Sequence, residues 1–600
     1  MKTTTVLATA SAVAVPVLVL SGCAMPWSDS PSDKFISAVN DGNWEDAAAQ
    51  TSDPAAAQAW LSDLDDNIGD TGLHLESEDD TSTVTWTVPD GDETTSTGTL
   101  TTGGEGTVTW SPAIFADGLS PDATVSYSDD RNYGLQILDR RNTVQMTWTP
   151  VTVVTATREA DITRVAEAVR PVIPDFDVAD AEARIADAGD SPVALFSLRA
   201  EDLDRVGAAL TDLPGTATRE EGRLLADRAS SSALDGGLTD YWTRKLDESA
   251  GWTLAVTHTD GSPGPVIGSR AARQVEPVHT TVDLGVQAAA NRAVNSVELP
   301  ASVVALSVST GGVLAAAQNG AADATGTPAL TGLFPPGSTF KTVTTAAALS
   351  KGTVGPDDIV DCPASVDVDG RTIPNDHDFS LGQVPLHTAF AQSCNTTQAL
   401  ISRDLGPEDL RDTAAQLGLG VDFTAPGMTT VTGSVPVTGQ GAARVESAIG
   451  QGEVLASPFG MALTGASVAA GGTMVTPSLV QGESTASDRN PGPVDPAVVD
   501  ELKTMMRETV ESGTAASLRD IPGLGGKTGT AEVDGQAAHG WFVGIVGDVA
   551  FCTFIAGADS SLPAVELSGR LLRDGALDVA LDGALDDSSA GSPGEPAVAQ

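Results

Sequence analysis

Positive charge is what this chain has least of: 32 lysines and arginines stand against 81 aspartates and glutamates, for a formal net charge of −49 over 600 residues. A surface of that sign repels nucleic acid, which excludes it as a partner. Lysine is the scarcest charged residue, with seven in the chain. The six histidines are scattered, with no His-x-x-x-His pair and no acidic cluster beside them, so neither a metal site nor any other cofactor is expected. Four cysteines are too few for a disulfide scaffold and lack metal-binding spacing. Past the N-terminal region no run of 18 apolar residues occurs, which excludes an internal helical membrane span. The composition, 41% hydrophobic and 19% charged, still supplies large cores, and the length suggests three or four domains.

Against that scarcity the lysines that remain are informative. In Pro335-Pro336-Gly337-Ser338-Thr339-Phe340-Lys341 a turn opens an Ala/Thr-rich helix with a serine at its mouth, and Lys341 is the one lysine of the chain preceded by serine at this offset. That spacing, just under one helical turn, puts hydroxyl and amine on one face. A lysine whose charge is suppressed can take the serine proton, and the helix N-terminus offers free N–H groups to an oxyanion. Ser393-Cys394-Asn395, the only Ser-x-Asn, falls in a turn between helices 55 residues later, and the only Lys-Thr-Gly, Lys527-Thr528-Gly529 followed by Thr530, begins a strand 189 residues after Ser338. Taken singly, Ser393 reads as a helix cap and Lys527 as a solvated lysine. Three patterns in this order and context point jointly to serine acyl transfer.

The rest of the chain frames this constellation. Lys2, an apolar run from Val6 to Leu20 and then Leu20-Ser21-Gly22-Cys23 make a targeting segment over residues 1–22. Helical spacing comes next, from Ser32 to about Asp65, then strand-like alternation in Thr83–Val88 and Thr107–Trp110. From 121 to 278 short strands alternate with acidic helices such as Ile162–Val172 and Ala179–Asp187. Val303–Leu306 and Val313–Ala315, joined through Thr310-Gly311-Gly312, form a hairpin. Residues 384–417 are mostly helical, Ser457–Ala470 is a small-residue helix and Pro496–Glu511 an amphipathic one. Gly525–Val533, His539–Val546 and Ala550–Ala556 are strands, followed by a helix near Ala564–Leu572. Residues 576–600 read as a disordered acidic tail. The fold class is therefore α+β, multidomain.

The motif triple resembles the serine penicillin-recognising acyltransferases, and its surroundings resemble class B penicillin-binding proteins. Leu20–Cys23 resembles the lipobox of bacterial lipoproteins, and the N-terminal helices, strands and Trp110-Ser111-Pro112 resemble an NTF2-like domain, so the chain is similar to actinobacterial penicillin-binding lipoproteins. Ile137-Leu138-Asp139-Arg140-Arg141-Asn142 resembles a degraded form of the stretch that opens the family's pedestal, or dimerisation, domain, with the final glycine missing. The resemblance implies a lipoprotein signal peptide over 1–22, an NTF2-like cone over 27–120, a mixed α/β pedestal over 121–278 and a penicillin-binding transpeptidase domain over 279–575. That last domain would be an antiparallel sheet flanked by helices plus an all-helical subdomain.

It also implies roles. Ser338 attacks a stem-peptide carbonyl and Lys341 is the acylation base. Ser393 relays a proton, Asn395 holds a substrate amide, and Lys527 brings positive charge toward the substrate carboxylate. Thr528 and Thr530 offer it hydroxyls, Gly529 permits close approach, and the N–H groups of Ser338 and Thr530 form the oxyanion hole. Cys23 carries lipid, which places the protein outside the cytoplasm on the outer face of the plasma membrane. Partners are peptidoglycan stem peptides, β-lactams, the membrane, and a glycosyltransferase or other cell-wall synthesis protein. The expected activity is D,D-transpeptidation. The alternatives are hydrolysis by the same serine, as in a D,D-carboxypeptidase or β-lactamase, or a non-catalytic β-lactam receptor or scaffold. Export permits a Cys362–Cys394 bridge; the two are read as separate buried thiols, since a sequence does not show that their Cα atoms approach. Ile449-Gly450-Gln451-Gly452 reads either as a loop near the site or as a simple helix stop.

Overall fold

The computed structural model describes residues 30–577 apart from positions 212, 369 and 534. Cys23 and residues 578–600 lie outside the described residues. No described helix is long and apolar enough to cross a membrane. The chain divides into two compact units, one reaching to Arg131 and regaining Ser249–Arg273, the other made of Asn132–Glu248 and Gln274 onward.

The first unit begins with a capping box, in which the Ser30 hydroxyl accepts from Asp33 N and the Asp33 carboxylate accepts from Ser30 N, opening the helix Pro31–Asn40. Helices Trp44–Ala49 and Pro54–Ile68 come next. They share a core of Phe35, Trp60, Leu64, Trp86, Phe115 and Trp252 with two three-stranded sheets. One sheet is Gly72–Glu78, Thr81–Thr87 and Glu93–Thr99; the other joins Ala123–Asp130 to Gly251–His258 and Pro263–Arg270. Residues around 123–130 and 251–270 thus pack with the N-terminal unit, on the far side of the boundary expected at 120/121. Thr107–Trp110 is not a strand; Val108 makes only isolated bridges, to Thr51 and Thr102. Glu93–Thr99 shows no apolar alternation because a glycine supplies its one buried position: a Cβ on Gly98 would lie 2.3 Å from Ala113 O.

In the second unit the long strand Val144–Ala156 pairs antiparallel with Ile137–Leu138, Val193–Leu198 and Thr216–Ala226. Trp148 of this strand stacks on Tyr133 and on Trp242, with centroids 4.4 and 5.4 Å apart. The segment Ile137–Asn142 fastens this sheet to the helix Leu284–Val294. Buried Asp139 accepts from Arg141 N and Thr143 N at 2.8 Å each, and Arg141 pairs with Asp283, the N-cap of that helix. Asn142 takes φ +62° where the resemblance calls for glycine, a conformation that asparagine tolerates. Leu135, Ile137 and Trp242 share one core with Val304 and Phe340, so packing is continuous across the 278/279 boundary.

The central sheet has the order Val313–Gln318, Ala301–Ser307, Val549–Ile555, Gln536–Val546, Gly525–Val533, with every neighbouring pair antiparallel. Helices Leu284–Val294 and Leu562–Arg573 cover one face through Phe542, Phe551 and Leu567. On the other lies Pro458–Ala469, buried along nearly its whole length and seated at Gly465, whose missing Cβ would come 2.9 Å from Val543 Cγ1. Leu577 is buried in the first of these cores, so the expected tail starts with ordered packing.

The helical subdomain is not all-helical. Ile359–Cys362 pairs with Gly382–Pro385, and Ser365–Val368 with Arg371–Pro374. Each of these strands has four residues, too few for a period-2 pattern to mark it in the sequence. A second correction concerns the cysteines: Cys362 and Cys394 are bridged, with Cα atoms 6.2 Å apart, while Cys552 is a buried free thiol. The strand Ile359–Cys362 ends beside the N-cap of the helix Asn395–Ile401, a proximity that sequence spacing does not carry. The bridge closes a loop spanning 32 positions. Its removal in the Cys362→Ala, Cys394→Ala double variant is expected to cost about 3–4 kcal/mol by loop entropy. Equilibrium urea unfolding measures this, and wild type unfolded under reducing conditions should match the variant.

Candidate active site

Ser338 lies in a 3-10 turn, Gly337–Phe340, that runs into the helix Lys341–Lys351. The turn is seated on glycines. Gly337 has φ +52° and a Cβ there would meet Thr530 O at 2.3 Å; a Cβ on Gly529 would meet Thr339 Cγ2 at 2.8 Å and Pro336 O at 2.9 Å. Gly529 therefore serves close approach, but of the Ser338 turn to the edge strand Gly525–Val533. From the opposite side Gly337 N donates to Gly450 O at 2.9 Å, which settles the Ile449–Gly452 alternative in favour of a loop at the site.

The structure brings Lys341, Ser393, Asn395 and Lys527 together. Lys341 Nζ donates to Ser393 O at 2.7 Å, Ser393 Oγ at 3.3 Å and Asn395 Oδ1 at 2.5 Å. Lys527 Nζ donates to the same Ser393 Oγ at 2.9 Å and to Thr528 O at 3.1 Å, and lies 5.6 Å from the centre of the Phe390 ring. Ser393 Oγ is thus shared by two fully buried lysines. Ser393 has φ +58°, uncommon for a residue with a Cβ and characteristic of strained functional turns. The helix Leu386–Ala391 leading to it is held on Pro496–Glu511 by His387 Nδ1 and Glu508 Oε2, 2.6 Å apart.

Burial drives both ammoniums toward neutrality. Lys341 is pushed well below its ordinary value, first by desolvation and then by the charge on Lys527, while Asp376 pulls the other way. Desolvation brings Lys527 down to about 7. Because the two meet on one hydroxyl, the first proton to leave belongs to the pair. With three acceptors, Lys341 as an ammonium spends all its N–H groups; loss of one proton frees a lone pair. Among the described residues the Ser338 hydroxyl has no hydrogen-bond partner, so it is available to that lone pair or to a ligand.

The two threonines have partners within the protein. Thr528 Oγ1 is 2.6 Å from Thr514 Oγ1, and Thr530 Oγ1 accepts from Ser561 N at 3.1 Å, which leaves the Thr530 hydroxyl proton to donate elsewhere. Thr514 belongs to no motif; its only signal in the sequence is a Ser-Gly-Thr break after the helix Pro496–Glu511. Gln451, with its amide oriented toward Glu532, donates to Glu532 O at 3.3 Å and accepts from Glu532 N at 2.9 Å, so the loop grips the far end of the same edge strand.

Residues 301–561, which carry the sheet, the Ser338 turn and both lysines, match the family model of the penicillin binding protein transpeptidase domain. The fold and site define a domain of that class. Penicillin-binding protein PbpB of Mycobacterium tuberculosis is 29% identical over 412 residues, 59% of this chain and 57% of that protein. PbpB of Mycolicibacterium smegmatis is 28% identical over 356 residues, 52% and 53% of the two chains. Peptidoglycan D,D-transpeptidase PbpA of the same organism is 30% identical over 236 residues, 36% of this chain and 47% of its own. The chain thus spans about half the length of these relatives. Over these residues the chain is similar to penicillin-binding proteins.

Proposed function

We propose that this protein is a peptidoglycan D,D-transpeptidase working through an acyl-enzyme on Ser338. The observation that carries the reading is the Ser393 hydroxyl held between two buried lysines, beside a serine turn docked on the edge strand of Lys527. Neutral Lys341 takes the Ser338 proton as Oγ attacks the carbonyl of the penultimate D-alanine. Backbone N–H groups of Ser338 and Thr530 bind the oxyanion. As the C–N bond breaks, the proton passes from Lys341 through Ser393 to the departing D-alanine amine. An acceptor amine then attacks the ester, and Ser338 recovers its proton. Asn395 holds a substrate amide, and the Thr528 and Thr530 hydroxyls face the terminal carboxylate, with Lys527 supplying positive field. The edge strand leaves backbone groups open to an extended peptide. A β-lactam presents the same carboxylate and acyl carbon and is trapped at the ester.

The other assignments rest on the same reading. Lipid on Cys23 anchors the protein at the outer face of the plasma membrane, where stem peptides are found. The N-terminal unit, with three helices followed by strands, is an NTF2-like spacer, and a glycosyltransferase supplies the strands to be joined.

The test incubates the soluble protein with a stem-peptide thioester and an amine acceptor, and separately with penicillin. The expected results are a cross-linked product and a penicillin adduct on the Ser338 peptide by mass spectrometry. Hydrolysis without transfer would replace this reading by a carboxypeptidase or β-lactamase; an adduct without donor turnover would favour a receptor. Failure of folded protein to form any adduct would overturn the assignment of Ser338.

A further inference from the structure

The reading of Ser338 as an acylated nucleophile requires the turn Ser393-Cys394-Asn395 to be held still, and part of what holds it lies outside the motif. Cys394 occupies the N-cap of the helix Asn395–Ile401, a position usually filled by an oxygen-bearing side chain that satisfies the first free N–H groups. Its sulfur is committed to the bridge with Cys362; it meets the Thr396 and Thr397 hydroxyls at 3.1 and 3.0 Å, but of the backbone N–H groups it accepts from Thr397 N alone, at 3.5 Å. We infer that Asn375, a residue outside the three motifs, is the positioning residue that sets this turn for acylation, an inference that rests on the proposed acyl-enzyme.

Asn375 is 2% exposed and stands directly after the strand Arg371–Pro374. Its Oδ1 accepts from Asn395 N at 2.8 Å and Thr396 N at 3.1 Å, so it caps from another segment the two N–H groups that the Cys394 sulfur does not reach. Its Nδ2 donates to Pro363 O at 2.8 Å and Phe379 O at 2.9 Å. The amide orientation is fixed by these partners, since the oxygen faces two donors and the nitrogen two carbonyls. All four hydrogen-bonding sites are used, and the side chain is wedged between the bridged strand and the helix start.

The neighbouring Pro374 completes the device. Asn395 Nδ2 donates to Pro374 O at 3.0 Å, which turns Asn395 Oδ1 toward Lys341 Nζ. Pro374 and Asn375 therefore define both where Asn395 begins and which way its amide faces. The φ of +58° at Ser393 is held between the C-terminus of Leu386–Ala391, through Ser393 N to Phe390 O at 2.9 Å, and this cap. Without the cap the turn can relax, carrying Ser393 Oγ away from the two lysines. Penicillin would still enter the groove, but proton transfer would suffer, because alignment there tolerates little displacement.

The experiment measures the acylation rate constant and the pre-acylation dissociation constant for penicillin in wild type, Asn375→Ala and Asn375→Asp, each well below its unfolding temperature. Asn375→Ala is expected to slow acylation about 10- to 100-fold while the dissociation constant stays within about threefold. Asn375→Asp keeps an acceptor for both N–H groups and is expected to recover most of the rate despite facing two carbonyls. Equal slowing in both variants, a loss confined to binding, or a rate within twofold of wild type in Asn375→Ala overturns the inference. Should Asn375→Ala not fold, Asn375→Ser, with one acceptor and a shorter reach, takes its place under the same criteria. A wild-type protein that forms no adduct on Ser338 refutes the acyl-enzyme instead, so the two failures are distinct.

Discussion

In the Lys341→Met variant, acylation of Ser338 by penicillin is expected to fall by about a thousandfold, within the usual range for loss of a general base. Methionine nearly matches the lysine stem in volume and removes only the amine, so the turn and helix should persist. The effect on stability has a pH signature. Below its depressed folded value Lys341 is charged in both states, and the cost of burying that charge is present in full. As pH rises through that value toward 10.5, the folded lysine loses its proton while the unfolded one keeps it. The unfolded state then binds more protons, and wild-type stability climbs. Methionine lacks this slope. The variant's thermal midpoint relative to wild type should therefore be highest at the acid end of the range and decline as pH approaches 10, after allowance for Asn395 Oδ1 and Ser393 O losing a donor. A difference independent of pH between 6 and 9.5 would show that Lys341 is not the buried group whose charge the fold disfavours. An acylation rate within tenfold of wild type would remove it as the base. The acid side of the wild-type rate profile tracks the same proton, since only the neutral amine accepts from Ser338.

Much of this site is legible in the sequence because its elements are local. Ser338 and Lys341 declare themselves by helical spacing; the strand Gly525–Val533 is read to its full length, and Gln536–Val546 is read from His539 on, where its apolar run begins. The helix Pro496–Glu511 is bounded to the residue by a proline after an aspartate cap and a break at Ser512-Gly513. What stays hidden are relations between segments distant in sequence. Asn375 is an ordinary turn asparagine until the hairpin Ser365–Pro374 brings it beneath Asn395. Thr514 acquires a role only through Thr528. The Cys362–Cys394 bridge depends on a short strand whose partner, Gly382–Pro385, runs into a stretch of helical spacing. In the N-terminal unit the strands Gly72–Glu78 and Glu93–Thr99 are largely solvated, with one or two inward positions each, so no hydrophobic period marks them. The residue roles in the motifs are available to sequence; the shell that fixes their geometry is not.

That shell also makes a glycine outside the three motifs decisive. Gly450 has φ +73°, and a Cβ there would lie 2.0 Å from Gly337 O and 2.8 Å from Phe340 Cβ. Neither neighbour can yield. Gly337 is itself pressed on the edge strand, with space for a Cβ closed by Thr530 O, and the Phe340 side chain is fully buried. The loop, the Ser338 turn and the strand thus form a stack of backbones with no side chain between them. Gly450→Ala must push the turn off the loop or the loop off the turn, and either breaks the Gly337 N to Gly450 O hydrogen bond. Acylation is expected to drop by about a hundredfold or more, since the nucleophile's own turn is displaced. The thermal midpoint should fall by several degrees for a cost of about 2–4 kcal/mol, left-handed strain and clash together. Gly452→Ala is the comparison that separates the two causes. Gly452 has φ +68°, close to that of Gly450, but its Cβ would meet only the Glu446 side chain, at 3.4 Å. It should pay the left-handed strain alone, about 1–2 kcal/mol, and acylate within about threefold of wild type. Equal acylation rates in the two variants would mean that the loop's conformation, and not its contact with Gly337, governs the nucleophile.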